Sequence, residues 1–372
     1  MPYPQFDRFA VRQKPLAERA NKIRIERDAV PLDQAPRNLS VPAREIISET
    51  AARIREARRQ DRPVMLAFGA HTIKNGLGPL LIRFLEEGWV THLATNGAGV
   101  IHDWEFAFQG ASGEDVRKNV DRGEFGNWQE TGHHINLAIV VGAFEGKGYG
   151  EAVGAFIENE GLTIPSGTEL EALIRRSVPN EPERAAAAAD LLYCVQRFSL
   201  QPGPLVVPHP WKKYSVQAAA FRLGAPSTAH PMFGHDIIYN HPLNHGAAIG
   251  RAAQRDFLTF AEGVSRLDGG VYLSVGSAVM SPMVFEKSLS MAQNLALQKG
   301  RHIEKHYILV ADLAESRWDW AKGEPPQDHP DYYLRYHKSF SRMEGTLRTV
   351  SADNRDLLLA LYQALPRREG RC

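Results

Sequence analysis

Lys338 stands in Tyr336-His-Lys-Ser339, with Tyr332, Tyr333 and Phe340 close by. A lysine among aromatic rings can lose its proton by desolvation, and a neutral amine attacks a carbonyl or imine carbon. The same rings can face a cationic substrate. A solvated surface lysine would do neither. A second group is His230, His235, His241 and His245, with Asp236 among them. Histidine titrates near neutral pH, so each can move a proton. Their spacing matches no zinc pattern such as H-E-x-x-H, nor does His133-His134. A polar pocket lining is expected here, and no metal. A third group is two small-residue turns, Gly69-Ala-His-Thr-Ile-Lys-Asn-Gly76 and Asn96-Gly-Ala-Gly99. Backbone amides can approach a phosphate where side chains are small. Neither turn is G-x-G-x-x-G, and either is equally a plain connection. Asp353 can cap a helix or accept hydrogen bonds from ribose hydroxyls.

Positioning these residues takes a repeated unit. Apolar runs at 64–68, 91–95, 271–275, 306–310 and 347–350 each end in small, polar or acidic residues, and a helix-like segment follows. Short buried strands alternating with helices predict an α/β fold with a parallel sheet. Ligands of such sheets bind beyond the carboxyl ends of the strands, where all five tails would gather. Residues 1–40, rich in Pro, Arg and Asp, read as an arm lying over a body or a neighbouring subunit. Residues 41–372 read as one elaborated domain. Helices are expected at 44–59, 76–88, 131–143, 148–157, 185–198, 246–260 and 354–365, and a further strand at 205–207. Residues 222–244 read as a polar active-site loop.

Composition narrows the function. The chain of 372 residues is 43% hydrophobic and 23% charged, with net charge +1. That balance gives no reason to expect nucleic acid or an anionic membrane as partner. The two cysteines, Cys194 and Cys372, allow no disulfide framework. No run approaches the roughly 18 apolar residues of a membrane span, and the N-terminal residues carry no apolar signal core. A cytoplasmic protein is expected.

In this order, the elements from about residue 60 to 365 resemble the deoxyhypusine synthase family. The family's first glycine-ended loop is similar to Ala70–Gly76. Its Thr-Ala-Gly-Gly-Val turn is similar to Thr95-Asn-Gly-Ala-Gly-Val100, and its Gly-Asp-Met-Ile to His235-Asp-Ile-Ile238. Its Gly-Gly-Gly-Val-Val resembles Gly276-Ser-Ala-Val279, its Trp-Gly-Lys resembles Tyr336-His-Lys338, and its Tyr-Ala-Asp-Ala resembles Ser351-Ala-Asp-Asn354. The resemblance implies a Rossmann-like sheet with an N-terminal helical arm. It implies NAD held by Ala70, His71, Asn96, Gly97, Ala98, Gly276, Ser277, Ala311 and Asp353. It implies Lys338 as an imine-forming nucleophile, with Asp236, Tyr336 and His241 on an amine substrate. The reaction implied is transfer of an aminoalkyl group from a polyamine-like donor to an amine or protein acceptor, in a homo-oligomer (dimer or tetramer).

Several polyamine contacts are missing. Pro231, Ser281 and His102 stand where the family has an acidic residue, a histidine and a glutamate. A different chemistry on the same cofactor is therefore an alternative: an NAD-dependent oxidoreductase acting on another small amine or a sugar. A non-catalytic nucleotide-binding paralogue is a third. Any amine chemistry needs a base, for which His102, His235 and His241 are candidates.

Overall fold

The computed structural model describes residues 3–368. Cys372 lies outside them. Six strands form one wholly parallel sheet: β1 Val64–Phe68, β2 His92–Thr95, β3 Ser227–Ala229, β4 Val271–Val275, β5 Tyr307–Asp312 and β6 Thr346–Ser351. Their spatial order is β6-β5-β4-β1-β2-β3. In register, Leu66 sits between Leu93 and Leu273, and Leu273 is opposite Leu309. This is the doubly wound order of Rossmann-like folds, and the order reverses between β1 and β4.

The sheet holds because both faces of its strands are covered. Along β1, Val64, Leu66 and Phe68 enter one core, while Met65 and Ala67 enter another. That alternation is the two-residue period of a strand. The first core is closed by α1, Val41–Arg59. Ser40 accepts from the Ala43 N–H to start this helix, and Ile47, Ala51 and Ile54 form its buried stripe. A third core lies among helices, chiefly Gln129–Glu145, Tyr149–Glu158 and Pro182–Arg197.

Four more helices bear on the site: α2 Ala70–Lys74 after β1, α3 Gly97–Gln109 after β2, α4 Met280–Leu297 after β4, and α5 Arg335–Phe340. The expected strand at 205–207 is instead Gly203–Val206, antiparallel to Gly161–Ile164 in a separate two-stranded piece. β3 lies inside the expected polar loop, as the short edge strand of the main sheet.

The N-terminal arm lies over this same chain. Arg8 donates to the Asn244 carbonyl, and Ile23–Arg24 pairs with Ala111–Ser112. Among the described residues, no helix is long and apolar enough to cross a membrane.

Candidate functional site

The parallel sheet sends all its carboxyl ends to one rim. At the switch point β1 ends in Gly69 and β4 in Gly276. The Gly69 N–H donates to Val275 O at 3.2 Å. A Cβ on Gly69 would lie 2.0 Å from the Gly276 carbonyl oxygen, so only glycine lets the two turns close together. Gly276 is itself in the left-handed region (φ 57°), and a Cβ on it would meet open space.

A cleft of about 240 Å³ opens at this rim between His71, Gly276, Ala311, Asp312 and Asp353. A second hollow, of about 170 Å³, is lined by Arg19, Lys74, Ala98, His102, Asp236 and His235, with Glu105 and Glu114. Helix α2 borders both, giving His71 to the cleft and Lys74 to the hollow. A hollow of about 320 Å³ lies against the two-stranded piece at residues 161–163 and 204–206, and one of about 570 Å³ lies among helices near Arg255.

The two glycine turns differ in what their amides hold. After β2, the Asn96 side chain accepts from the Gly99 N–H at 2.9 Å, and the Asp236 carboxylate accepts from Ala98 N–H. A Cβ on Gly97 would strike that carboxylate. The N-terminus of α3 therefore already carries an anion, and it belongs to the protein. After β4, helix α4 has no side-chain cap at Val279, and Ser277 Oγ accepts from Ser281 N–H at 3.2 Å. The loop at Gly276, Ala278 and Val279 is exposed. The expected phosphate contacts at Gly97 and Ala98 thus meet a carboxylate, whereas those at Gly276 and Ser277 lie beside an open helix start.

Electrostatics mark the hollow. Arg19 reaches Glu105 with two hydrogen bonds, at 2.7 and 2.6 Å. Burial works against ionising Glu105, but the Arg19 charge and hydrogen bonds win and hold its carboxyl below the usual value. Burial drives Asp236 up to about 6, against the pull of His235 and the Ala98 N–H. Its Oδ2 is buried and has no hydrogen-bond partner. Burial pushes His102 down to about 4; Glu105 opposes this, and Lys74, Arg19 and His71 add to it.

The remaining sequence-derived candidates are spread out. Ala70 opens α2, half-buried. Tyr336 is buried against His337, ring centroids 4.3 Å apart, with an unpartnered hydroxyl. Burial, then the charge of Asp312, raises that phenol to about 12. His241 lines neither hollow. Its Nε2 faces Gln129 at 3.3 Å and its Nδ1 accepts from Leu243 N–H, so it braces a loop instead of reaching a substrate. His245 caps the helix Gly246–Ser265.

Lys338 needs correction. Its ammonium lies 3.5 Å over the Tyr332 ring centroid and 3.1 Å from Glu324. Hydrogen bonding to Tyr332, and then to Glu324, outweighs burial and holds it above the ordinary lysine value. It is a paired cation and not the desolvated neutral amine that imine formation requires. Arg19 and Glu105 escaped the sequence reading, while Lys74 and Asp312 stood in segments it placed at the rim without a role of their own. His102 and Glu105, three residues apart on α3, were the one local signal available.

No family model matches this chain, and no curated protein does. Among solved structures, the likeness is to AgrE. A mutant of AgrE in binary complex with L-arginine is 14% identical, with TM-score 0.42, over 88% of this chain and 34% of that one. AgrE with ornithine and NAD+ is 13% identical, with TM-score 0.41, over 88% and 34%. A conserved LOR/SDH protein from Methanococcus maripaludis S2 is 12% identical, with TM-score 0.43, over 90% and 73%. The chain spans about a third of the length of the AgrE structures. These neighbours belong to a different family from deoxyhypusine synthase, which corrects the resemblance read from motif order. With it go the polyamine donor, the aminoalkyl transfer and the lysine imine.

Proposed function

We propose that this protein is an NAD-dependent oxidoreductase acting on a small amine. The observation that carries the reading is the rim at the switch point: two glycine-ended strands, a helix start with no side-chain cap at Val279 and only the Ser281 N–H taken by Ser277, and two carboxylates around one cleft. Glycine at 276 leaves room for a pyrophosphate against backbone amides at the start of α4. Asp353 and Asp312 can accept hydrogen bonds from ribose hydroxyls. His71, Ala311, Gly276 and Ser277 are kept as nucleotide-contacting residues; Gly97 and Ala98 are taken up by Asp236, and Asn96 caps its own helix through the Gly99 N–H.

NAD, when bound, accepts the hydride. The protein's own part is to hold the amine. Asp236, ionised at neutral pH and with one oxygen unpartnered in a buried wall, is the natural seat for an ammonium group. Because α2 borders both spaces, a nicotinamide extending past His71 would meet the amine near Lys74. The test is calorimetric titration of NAD, followed by a screen of small amines for net formation of reduced nicotinamide. Binding in wild type and its loss in Gly276→Val support the reading. Equal binding by both proteins would remove the cleft from it.

A further inference from the structure

His102 is fixed in one tautomer by a chain of hydrogen bonds that ends on a buried ion pair. Glu105 is held ionised by Arg19, and both side chains are 1% exposed. A carboxylate only accepts. Ser112 Oγ lies against the Glu105 carboxylate and must therefore donate its one proton to it. Ser112 then has only lone pairs left for His102 Nδ1, 2.7 Å away. So Nδ1 carries the imidazole proton. Nε2 is left as the lone-pair nitrogen, and among the described residues nothing hydrogen-bonds to it. The ring lines the hollow beside Lys74 and Asp236.

We infer that His102 is the base of the site and that Ser112 and Glu105 are the residues that position it. The inference rests on the proposed amine oxidation for the proton's origin, but the tautomer stands independently. The substrate starts as the ammonium seated on Asp236. One N–H proton passes to Nε2, the C–H hydrogen leaves with its electron pair as hydride to the nicotinamide, and an iminium with the same single positive charge remains. Glu105, whose carboxylate lies 4.0 Å from Nδ1, offsets part of the burial that opposes a charge on the ring.

His235 also lines the hollow, but it is exposed on its loop and no side-chain hydrogen bond among the described residues fixes its ring. His241 has both ring nitrogens engaged. The arrangement is also built from afar. Ser112 is pinned by pairing with Ile23, and Arg19 comes from the N-terminal arm.

Nitrogen-15 spectra of histidine-labelled protein at neutral pH read the tautomer directly. The expected wild-type signature is protonated Nδ1 with bare Nε2, and Ser112→Ala should shift the ring toward Nε2–H. A wild-type ring protonated on Nε2, or an unaltered tautomer in Ser112→Ala, overturns the relay. With an amine identified, His102→Gln should lower kcat by roughly 10²–10⁴-fold. Ser112→Ala should lower kcat at least tenfold with the NAD affinity unchanged; a change confined to KM would contradict a positioning role. If wild type oxidises no amine yet shows the Nδ1–H ring, the relay stands and the nucleotide reading is what fails.

Discussion

Arg19, from the N-terminal arm, meets Glu105, in the middle of α3, through two hydrogen bonds, and water reaches neither side chain. Ser112 and Thr131 also donate to that carboxylate. The arm is thereby part of the wall of the hollow.

Removing one partner leaves the other charge buried without its main counter-charge: Glu105 keeps Ser112 and Thr131, and Arg19 keeps Glu114 at 4.0 Å. The loss is about 3–5 kcal/mol. Arg19→Met should therefore lower stability in denaturant by that order. The pair Arg19→Met with Glu105→Leu should recover much of it, since two apolar groups need no counter-charge. Additive losses in the double variant would show that the pair is not coupled.

The two rim glycines should separate packing from binding. Gly69→Ala places a methyl into the Gly276 carbonyl and should destabilise the fold by a few kcal/mol, roughly the cost of overpacking. Gly276→Val meets open space. It strains a left-handed residue by about 1–2 kcal/mol, and should leave a folded protein that no longer takes NAD. Thermal melts alongside NAD titration distinguish the two.

Asp236 makes a stability prediction with a definite sign. Its folded carboxyl titrates near 6, above the ordinary 3.8. The folded state therefore binds the extra proton, and stability falls as pH rises from about 4 to about 6. At neutral pH the cost is up to about 3 kcal/mol. Asp236→Asn should be more stable than wild type at pH about 7, equal to it near pH about 4, and at least tenfold weaker for a cationic amine. A destabilised Asn variant at neutral pH would contradict the charge assigned here.

Buried histidines act in the opposite direction. Burial lowers His92, His134 and His230 to about 3, and His102, His209, His241, His306 and His337 to about 4. Each keeps its contribution above pH 6.5, where the unfolded chain is also neutral. Below that, the unfolded state takes the proton first, and each group forfeits about 1.4 kcal/mol per pH unit until its folded value is reached. Tryptophan fluorescence should report cooperative acid unfolding between pH about 6 and about 4. A protein still native at pH about 3.5 would show that these rings are solvated.

How much of this was legible beforehand depended on range. Val64–Phe68 and Val271–Val275 are wholly buried strands that small residues terminate, so their positions and the rim followed from the chain alone. Ser227–Ala229 was hidden because it is three residues long and polar at its edges. The turn Asn96-Gly-Ala-Gly99 read as a phosphate seat or a plain connection; in the structure Ala98 N–H meets the Asp236 carboxylate, 138 residues away, a contact that no local pattern encodes. Arg19 and Glu105 are 86 apart, and the arm gave no period to follow. Lys338 misled because aromatic neighbours suggest desolvation, whereas Glu324 reaches it through a loop fold that the spacing does not show.

The most direct measurement is a crystal structure of the protein grown with NAD. Density should cross Gly276, with the pyrophosphate at the start of α4, ribose hydroxyls at Asp353 or Asp312, and the nicotinamide directed past His71 toward Lys74. Density seated instead on Asn96–Gly99 with Asp236 displaced, or a rim left empty at saturating NAD, would contradict the proposed site.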